Sequence, residues 1–231
     1  MNAIGHDPRF PVSDGWPHLV SELIERVEGY GEPVLGVGHS LGGYLTALAA
    51  LKRPALFRAI VLLDSPILDR FRGAMLGMVK RFGLVDRMTP AGVTRDRRAV
   101  WASSDEAYAH FRNKRAFRDF DPECLRDYVT LGMRPCSEGV CLAFDPSIEY
   151  RIYRAFPHAV AKELPALRVP AGLICGRESE DARQMGLALS RRHFRVVRVE
   201  GGHLFPFEHP EAAARAIREM ARTLTAGQPR E

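Results

Sequence analysis

The sequence predicts an α/β protein in which a mostly parallel sheet with flanking helices is interrupted by one long helical insertion. Residues 1–66 and 165–231 alternate short apolar strands with amphipathic helices, which predicts one core built from both segments. Strands that are apolar at every position are typical of a parallel sheet covered by helices on both faces. Residues 67–164 keep a helical period without this alternation. A connection of that length is too long for a plain loop, so we expect it to form a helical lid.

Four elements are predicted in the first core segment. They are a helix over Trp16–Glu28, a strand over Val34–Val37, a helix over Leu41–Lys52 and a strand over Ala59–Leu63. The first helix has apolar residues at intervals of three and four, and Ser13 or Asp14 is expected to cap it. Strand, helix and strand in this order predict a right-handed crossover between parallel neighbours.

The second core segment resumes the same alternation. Its predicted elements are a strand over Ala171–Cys175, a helix over Ala182–Arg192, a strand over Arg195–Val199 and a closing helix over Glu211–Leu224. In the insertion, the apolar run Gly73–Val79 contains a Gly-x-x-x-Gly spacing flanked by basic residues. It predicts a lid helix, with a membrane contact as the alternative.

Composition excludes several classes of protein. A chain of 231 residues with 46% hydrophobic and 26% charged residues is neither disordered nor collagen-like, and it can bury a core without disulfides or metals. It has no apolar run long enough to span a membrane and no secretory signal in its first ten residues. The four cysteines are Cys124, Cys136, Cys141 and Cys175. They form no Cys-x-x-Cys pair, so we expect free thiols and a cytoplasmic location.

The net charge of +5 is concentrated in the insertion. Between Ser65 and Arg118 there are 12 Lys or Arg residues against 5 Asp or Glu residues, a local excess of +7. No aromatic RNA-binding motif accompanies these cations, so nucleic acid is not a predicted partner. A solvated helical face is expected, with attraction of an anionic substrate as the alternative.

A tight turn between a buried strand and a helix carries the sharpest chemical signal. Its sequence is Gly38-His39-Ser40-Leu41-Gly42-Gly43. A Gly-x-Ser-x-Gly turn in this setting presents a serine hydroxyl at the carboxyl edge of the sheet, and the glycines are expected to be needed sterically. The backbone N–H of Leu41 then opens the next helix, where it can stabilise an oxyanion. Ser40 is the candidate nucleophile.

A serine nucleophile needs a neighbouring base, and His203 is the best placed of the eight histidines. It follows the last predicted strand, in the sequence Gly201-Gly202-His203. In a parallel sheet that loop opens at the same edge as the turn that carries Ser40. We therefore expect the two side chains to meet.

With these two motifs, Asp64-Ser65-Pro66 and the helical insertion, the chain resembles the α/β-hydrolase superfamily. The resemblance extends from about Gly5 to the last helix and implies a Ser-His-acid triad with a lid between the sixth and seventh strands of the family. It implies further strands before the first one found here, and a second oxyanion donor in the loop after the third of them. Gly5-His6-Asp7 resembles the loop after the fourth strand. We therefore expect an N-terminally incomplete core, with Met1 not the natural start, that folds poorly and has low activity as it stands.

The acid of the triad is less clearly marked than the other two members. The resemblance usually implies a Gly-x-x-Asp or Gly-x-x-Ser-Asp turn after the seventh strand, and the latter spacing places Glu180 in the acid position. Asp181 and Glu178 are alternatives within the same turn. Asp64 is a further alternative, since some members of the superfamily carry their acid after the sixth strand.

The predicted function is hydrolysis of a small ester or related acyl substrate by a cytoplasmic serine esterase. The mechanism needs no metal or organic cofactor, and the expected partner is a small-molecule substrate. One alternative is a non-catalytic relative with the same fold. The other is a dinucleotide-binding oxidoreductase that uses Gly36, Gly38 and Gly42 as a phosphate turn, with Asp64 at the ribose.

Overall fold

The computed structural model describes residues 3–65, 67–88, 91–95, 97–180 and 191–226. The strands within these ranges are β1 (Val34–His39), β2 (Phe57–Leu63), β3 (Val100–Trp101), β4 (Met133–Cys136), β5 (Gly139–Leu142), β6 (Ala171–Gly176) and β7 (Arg195–Val199). Four of them form a parallel sheet in the order β1-β2-β6-β7. The other three form a small antiparallel sheet in the order β3-β5-β4.

Helices pack on both faces of the parallel sheet. Those of the described residues are α1 (Pro17–Glu28), α2 (Leu41–Lys52), α3 (Arg70–Arg81), α4 (Val85–Met88), α5 (Ala91–Arg95), α6 (Ser104–Arg112), α7 (Pro122–Leu131), α8 (Pro146–Arg154), α9 (Val160–Glu163), α10 (Phe205–Glu208) and α11 (Pro210–Thr225). Ile60 and Leu62 of β2 point into the core with α1 and α2, whereas Val61 and Leu63 point into the core with α11. Because alternate side chains of β2 are buried on opposite faces, the strand is apolar throughout.

The predicted core elements are confirmed, with small changes at their ends. Helix α2 and strand β7 have the predicted bounds, and the remaining core strands and the closing helix extend one to two residues further. The predicted cap of α1 is wrong: neither Ser13 nor Asp14 caps it. Trp16 precedes the helix in a left-handed conformation, and no side chain bonds to the helix start. The predicted helix over Ala182–Arg192 lies almost wholly outside the described residues.

The insertion differs from its helical prediction in one respect. Besides α3–α9 it contains the three-stranded sheet, whose β4 and β5 form a hairpin. Gly139, at φ 126°, begins the return strand, and Pro135 is tolerated because β4 is an edge strand. The short stretch Ser137-Glu138-Gly139 between apolar residues is a hairpin signal that helical periodicity obscured.

The aromatic residues of the insertion form a core of their own. Trp101 and Phe111 are buried at its centre, and Tyr108 and Phe117 pack against them. Phe207, from the core segment, stacks on Phe120 with ring centroids 5.1 Å apart. The insertion core therefore continues into α10, the short helix that follows β7 in the chain.

No helix among the described residues combines the length and the apolar character that crossing a bilayer requires.

Candidate active site

The candidate site lies where the strands of the parallel sheet end. His39 at the end of β1 is in register with Leu63 at the end of β2, and Leu63 is in register with Ile174 of β6. The residues that follow these strands therefore emerge side by side at one edge. Ser40 follows β1 and Asp64 follows β2, so the topology brings them close together.

Ser40 occupies the strained turn that the glycine pattern predicts. Its backbone has φ 51° and ψ −120°, an unfavourable conformation for a residue with a side chain, and its N–H donates to the carbonyl of Leu63 at 2.9 Å. A Cβ atom at Gly38 would lie 2.5 Å from the carbonyl oxygen of Gly42, so only glycine fits there. Leu41 is the first residue of α2, and the N–H groups of the first helical turn have no acceptor within the helix.

The second sterically required glycine is Gly43, and the expectation for Gly42 is wrong. A Cβ atom on Gly42 would meet no atom within 4 Å, because that position opens onto a cavity. A Cβ atom on Gly43 would lie 2.0 Å from Ser65 Oγ and 2.8 Å from the carbonyl oxygen of Gly38. The close approach of α2 to the chain after β2 thus depends on Gly43.

This difference predicts opposite effects of two alanine substitutions. Gly43→Ala is expected to lower the free energy of unfolding by about 2 kcal/mol or more, because the buried contact with Ser65 has no room for a methyl group. Gly42→Ala should leave stability unchanged or slightly raised, since alanine favours a helix over glycine. Urea unfolding of both variants measures the effect, and equal destabilisation would contradict this account of the turn.

His203 reaches Ser40 as the sequence predicts. Its Nε2 lies 3.0 Å from Ser40 Oγ, and its Nδ1 lies 2.7 Å from Asp64 Oδ2. A carboxylate can only accept, so the proton resides on Nδ1 and Nε2 is left to accept from the Ser40 hydroxyl. The imidazole side chain is 32% exposed, whereas Asp64 is fully buried. A substrate can therefore approach the histidine from one side.

The carboxylate that the structure places beside His203 is that of Asp64, one of the alternatives, and not that of the preferred Glu180. Glu180 is exposed, one residue beyond Ser179, while the carboxylate at Nδ1 of His203 is that of Asp64. Glu178 is exposed in the same turn, and Asp181 lies outside the described residues. The physical reason is strand order: β2 lies between β1 and β6, so the residue after β2 is the nearest carboxylate to both partners.

Two further residues hold this arrangement and were missed by sequence reasoning. Ser179, which is buried, donates its hydroxyl to Asp64 Oδ2 at 2.5 Å, and the Gly176 N–H donates to Oδ1 at 3.2 Å. The carboxylate of Glu208 accepts the N–H of Gly202 at 2.7 Å and so fixes the turn before His203. The sequence did carry a signal for Ser179, because this serine occupies the position that aspartate takes in a Gly-x-x-Asp turn.

His39 links the serine turn to the histidine loop. Its Nε2–H donates to the backbone carbonyl of His203 at 2.9 Å, and its ring packs edge-on against Phe207. Burial is the main cause that lowers the pKa of His39 below its usual value, and the hydrogen bond to the His203 carbonyl offsets only part of this effect. A neutral His39 is therefore part of the folded site.

The lowered pKa of His39 predicts a pH-dependent contribution to stability. The unfolded chain binds a proton at His39 at a higher pH than the folded chain does. The neutral ring therefore stabilises the fold above about pH 6.5, and this contribution is lost as the pH falls towards the lower folded pKa. In urea unfolding between pH 8 and pH 5, the free energy of unfolding should fall more steeply with decreasing pH for the parent than for His39→Gln. Parallel profiles would contradict it. His110, whose pKa burial also lowers, is present in both proteins and cancels.

A cavity of about 570 Å³ opens beside the serine turn. Leu41 and Gly42 line the end nearest to Ser40, and most of the remaining wall is apolar. Arg97 and Glu149 are its charged residues, and they bind each other at 2.5 Å. Pockets of this size accommodate small organic ligands.

Comparison with known proteins agrees with this geometry. The family model described as "Alpha/beta hydrolase family" matches residues 1–216. The chain belongs to this family. The family match also gives no support to the dinucleotide-binding alternative, whose proposed ribose-binding residue Asp64 contacts His203 instead.

A single protein that matches this chain in sequence does so over only part of its length. A type I acyl-CoA thioesterase, mpaH of Penicillium brevicompactum, is 27% identical over 129 residues. That match covers 54% of this chain and 28% of mpaH, so the chain spans only a part of the relative.

Solved structures share the fold at lower identity. E-2-(acetamidomethylene)succinate hydrolase has a TM-score of 0.75 at 18% identity, and the match covers 93% of this chain and 76% of the succinate hydrolase chain. The peroxisomal alpha-beta-hydrolase Lpx1 of Saccharomyces cerevisiae has a TM-score of 0.72 at 13% identity, and the match covers 96% of this chain and 63% of Lpx1. An M. tuberculosis esterase has a TM-score of 0.63 at 23% identity, and the match covers 88% of this chain and 68% of the esterase.

Proposed function

We propose that this protein is a serine hydrolase that cleaves an ester or thioester through an acyl-enzyme. The observation that carries the proposal is the continuous chain of contacts from Ser40 Oγ through the His203 ring to Asp64. In this proposal Ser40 is the nucleophile, His203 is the base and then the acid, and Asp64 orients the histidine. The N–H of Leu41 stabilises the oxyanion.

The proposed reaction has two halves, each with one proton carried by His203. Ser40 Oγ attacks the carbonyl carbon while its proton passes to Nε2, and the carbonyl oxygen becomes an oxyanion near the Leu41 N–H. The tetrahedral intermediate collapses, and the departing alcohol or thiol takes the proton from Nε2. A water molecule then attacks the acyl-enzyme with the same proton path, releasing the carboxylic acid and restoring Ser40.

The cavity favours substrates with an apolar acyl group. It begins at Leu41 and Gly42, where the acyl carbonyl would sit, and its wall is mostly aliphatic and aromatic. The name of the curated relative, an acyl-CoA thioesterase, supports thioesters beside oxyesters as the substrate class. The insertion contributes part of the wall, including Leu142, and is proposed to act as the lid that selects the substrate.

Covalent labelling tests the proposed function. A fluorophosphonate probe should modify the parent protein at Ser40, as mapped by peptide mass spectrometry, and should not modify Ser40→Ala. A panel of p-nitrophenyl esters and acyl thioesters of increasing chain length should show turnover that favours apolar acyl groups larger than acetyl. Folded protein that neither reacts with the probe nor turns over any member of the panel would favour a non-catalytic relative.

A further inference from the structure

Helix α3 in the insertion carries an apolar stripe that faces solvent. Phe71, Met75, Met78 and Phe82 follow one another at intervals of four, three and four residues, which places them within about 60° of each other around the helix. Their exposed fractions are 73%, 46%, 60% and 67%. Within the part of the chain that the structure describes, this stripe therefore remains open.

The opposite face of α3 packs tightly, which fixes the direction of the stripe. A Cβ atom on Gly73 would lie 2.1 Å from the backbone oxygen of His158, and one on Gly77 would lie 3.1 Å from the imidazole of His158. The Gly-x-x-x-Gly spacing thus brings α3 close to the segment before α9. Lys80 adds a hydrogen bond from Nζ to the carbonyl of Phe156 at 2.6 Å. The exposure of the stripe follows from this packing and not from a loosely attached helix.

The charged side chains of α3 itself are all positive, although Lys80 pairs with Asp14 beside the helix. The sequence of α3 contains four cations and no acidic residue. Arg72 is paired with Asp69 at 3.0 Å, but Arg70 and Arg81 are exposed and pair with no other described residue. Both flank the stripe on the same side, since they lie about 80–100° from it around the helix. A second copy of α3 packed on the stripe would bring cations together, whereas an anionic surface would be attracted.

We propose that α3 docks this protein onto an anionic phospholipid surface, with the four stripe residues at the acyl-chain boundary and Arg70 and Arg81 at the phosphate groups. Interfacial helices combine these two features, and α3, with 12 residues, would lie in the plane of the surface. A membrane contact is the alternative that the sequence left open for the Gly73–Val79 run, and this proposal adopts it. It does not depend on the proposed hydrolase activity.

Vesicle co-sedimentation of the full chain tests the proposal. The parent should bind vesicles of phosphatidylcholine with phosphatidylglycerol and bind pure phosphatidylcholine much less. Phe71→Gln with Met78→Gln should weaken binding at least about tenfold, because two apolar side chains lose their burial in the interface. Arg70→Gln with Arg81→Gln should weaken binding to the anionic vesicles by about fivefold for each charge removed. The difference in binding between the parent and this variant should shrink in high salt.

Tyr30→Gln is the matched control, since Tyr30 is an exposed aromatic residue, 58% accessible, outside α3. It should bind as the parent does, and all variants should keep the parent's circular dichroism spectrum and melting temperature. Failure of the folded parent to bind anionic vesicles would overturn the proposal, as would equal binding to pure phosphatidylcholine. So would a parent dimer in light scattering that Phe71→Gln with Met78→Gln converts to a monomer, because a second copy would then cover the stripe.

Discussion

Replacing Ser40 by alanine should lower kcat by about 10⁶-fold, the loss seen when the nucleophile of a triad is removed. Oγ is the only non-hydrogen atom removed, and it lies 3.0 Å from His203 Nε2, so the change removes the proposed attacking oxygen and leaves the His203 side chain in place. Steady-state kinetics with the best ester or thioester of the panel measures the loss relative to the parent chain.

The Ser40→Ala variant should fold like the parent, because the strained turn is fixed by Gly38 and Gly43 and not by the serine hydroxyl. Equal melting temperatures establish this point. A folded Ser40→Ala protein with parental turnover would exclude Ser40 as the nucleophile.

Asp64→Asn should lower kcat by about 10⁴-fold while preserving the size of the buried side chain. The carboxylate accepts at both oxygens, Oδ1 from the Gly176 N–H and Oδ2 from Ser179 and His203, whereas an amide has only one acceptor oxygen. If that oxygen accepts from Gly176, the amide NH2 faces His203 Nδ1. The imidazole then loses the partner that holds the proton on Nδ1, and the charged form of His203 loses its counterion. Asparagine is suited to the φ of 42° at this position, so the backbone should tolerate it.

Glu180→Gln is the control that distinguishes the two candidate acids. It neutralises an exposed carboxylate in the turn where the sequence led us to expect the acid, and it should leave kcat unchanged. Parallel pH–rate profiles for this variant and the parent would agree with Asp64 as the orienting acid. A large loss in Glu180→Gln, with Asp64→Asn close to the parent, would reverse the assignment.

Local sequence was enough to place Ser40 in its tight turn and to predict that His203 lies beside it. The turn after β1 needs glycine at position 38 for steric reasons, and an apolar strand before it and an alanine-rich helix after it define its place in the fold. His203 could be chosen because parallel strands direct their following loops to one edge. These are short-range rules, in which each residue's role follows from its own strand end.

The sequence by itself therefore determined the α/β core, the long insertion and the pairing of Ser40 with His203. Tertiary structure decided what depends on distances between segments remote in the chain: Asp64 over Glu180 as the carboxylate at His203, Gly43 over Gly42 as the second required glycine, and the hairpin within the insertion. It also decided which face of α3 is left uncovered, because only the packing of Gly73 and Gly77 against His158 orients that helix. Periodicity identifies an apolar face, but the neighbouring chain determines whether that face is buried.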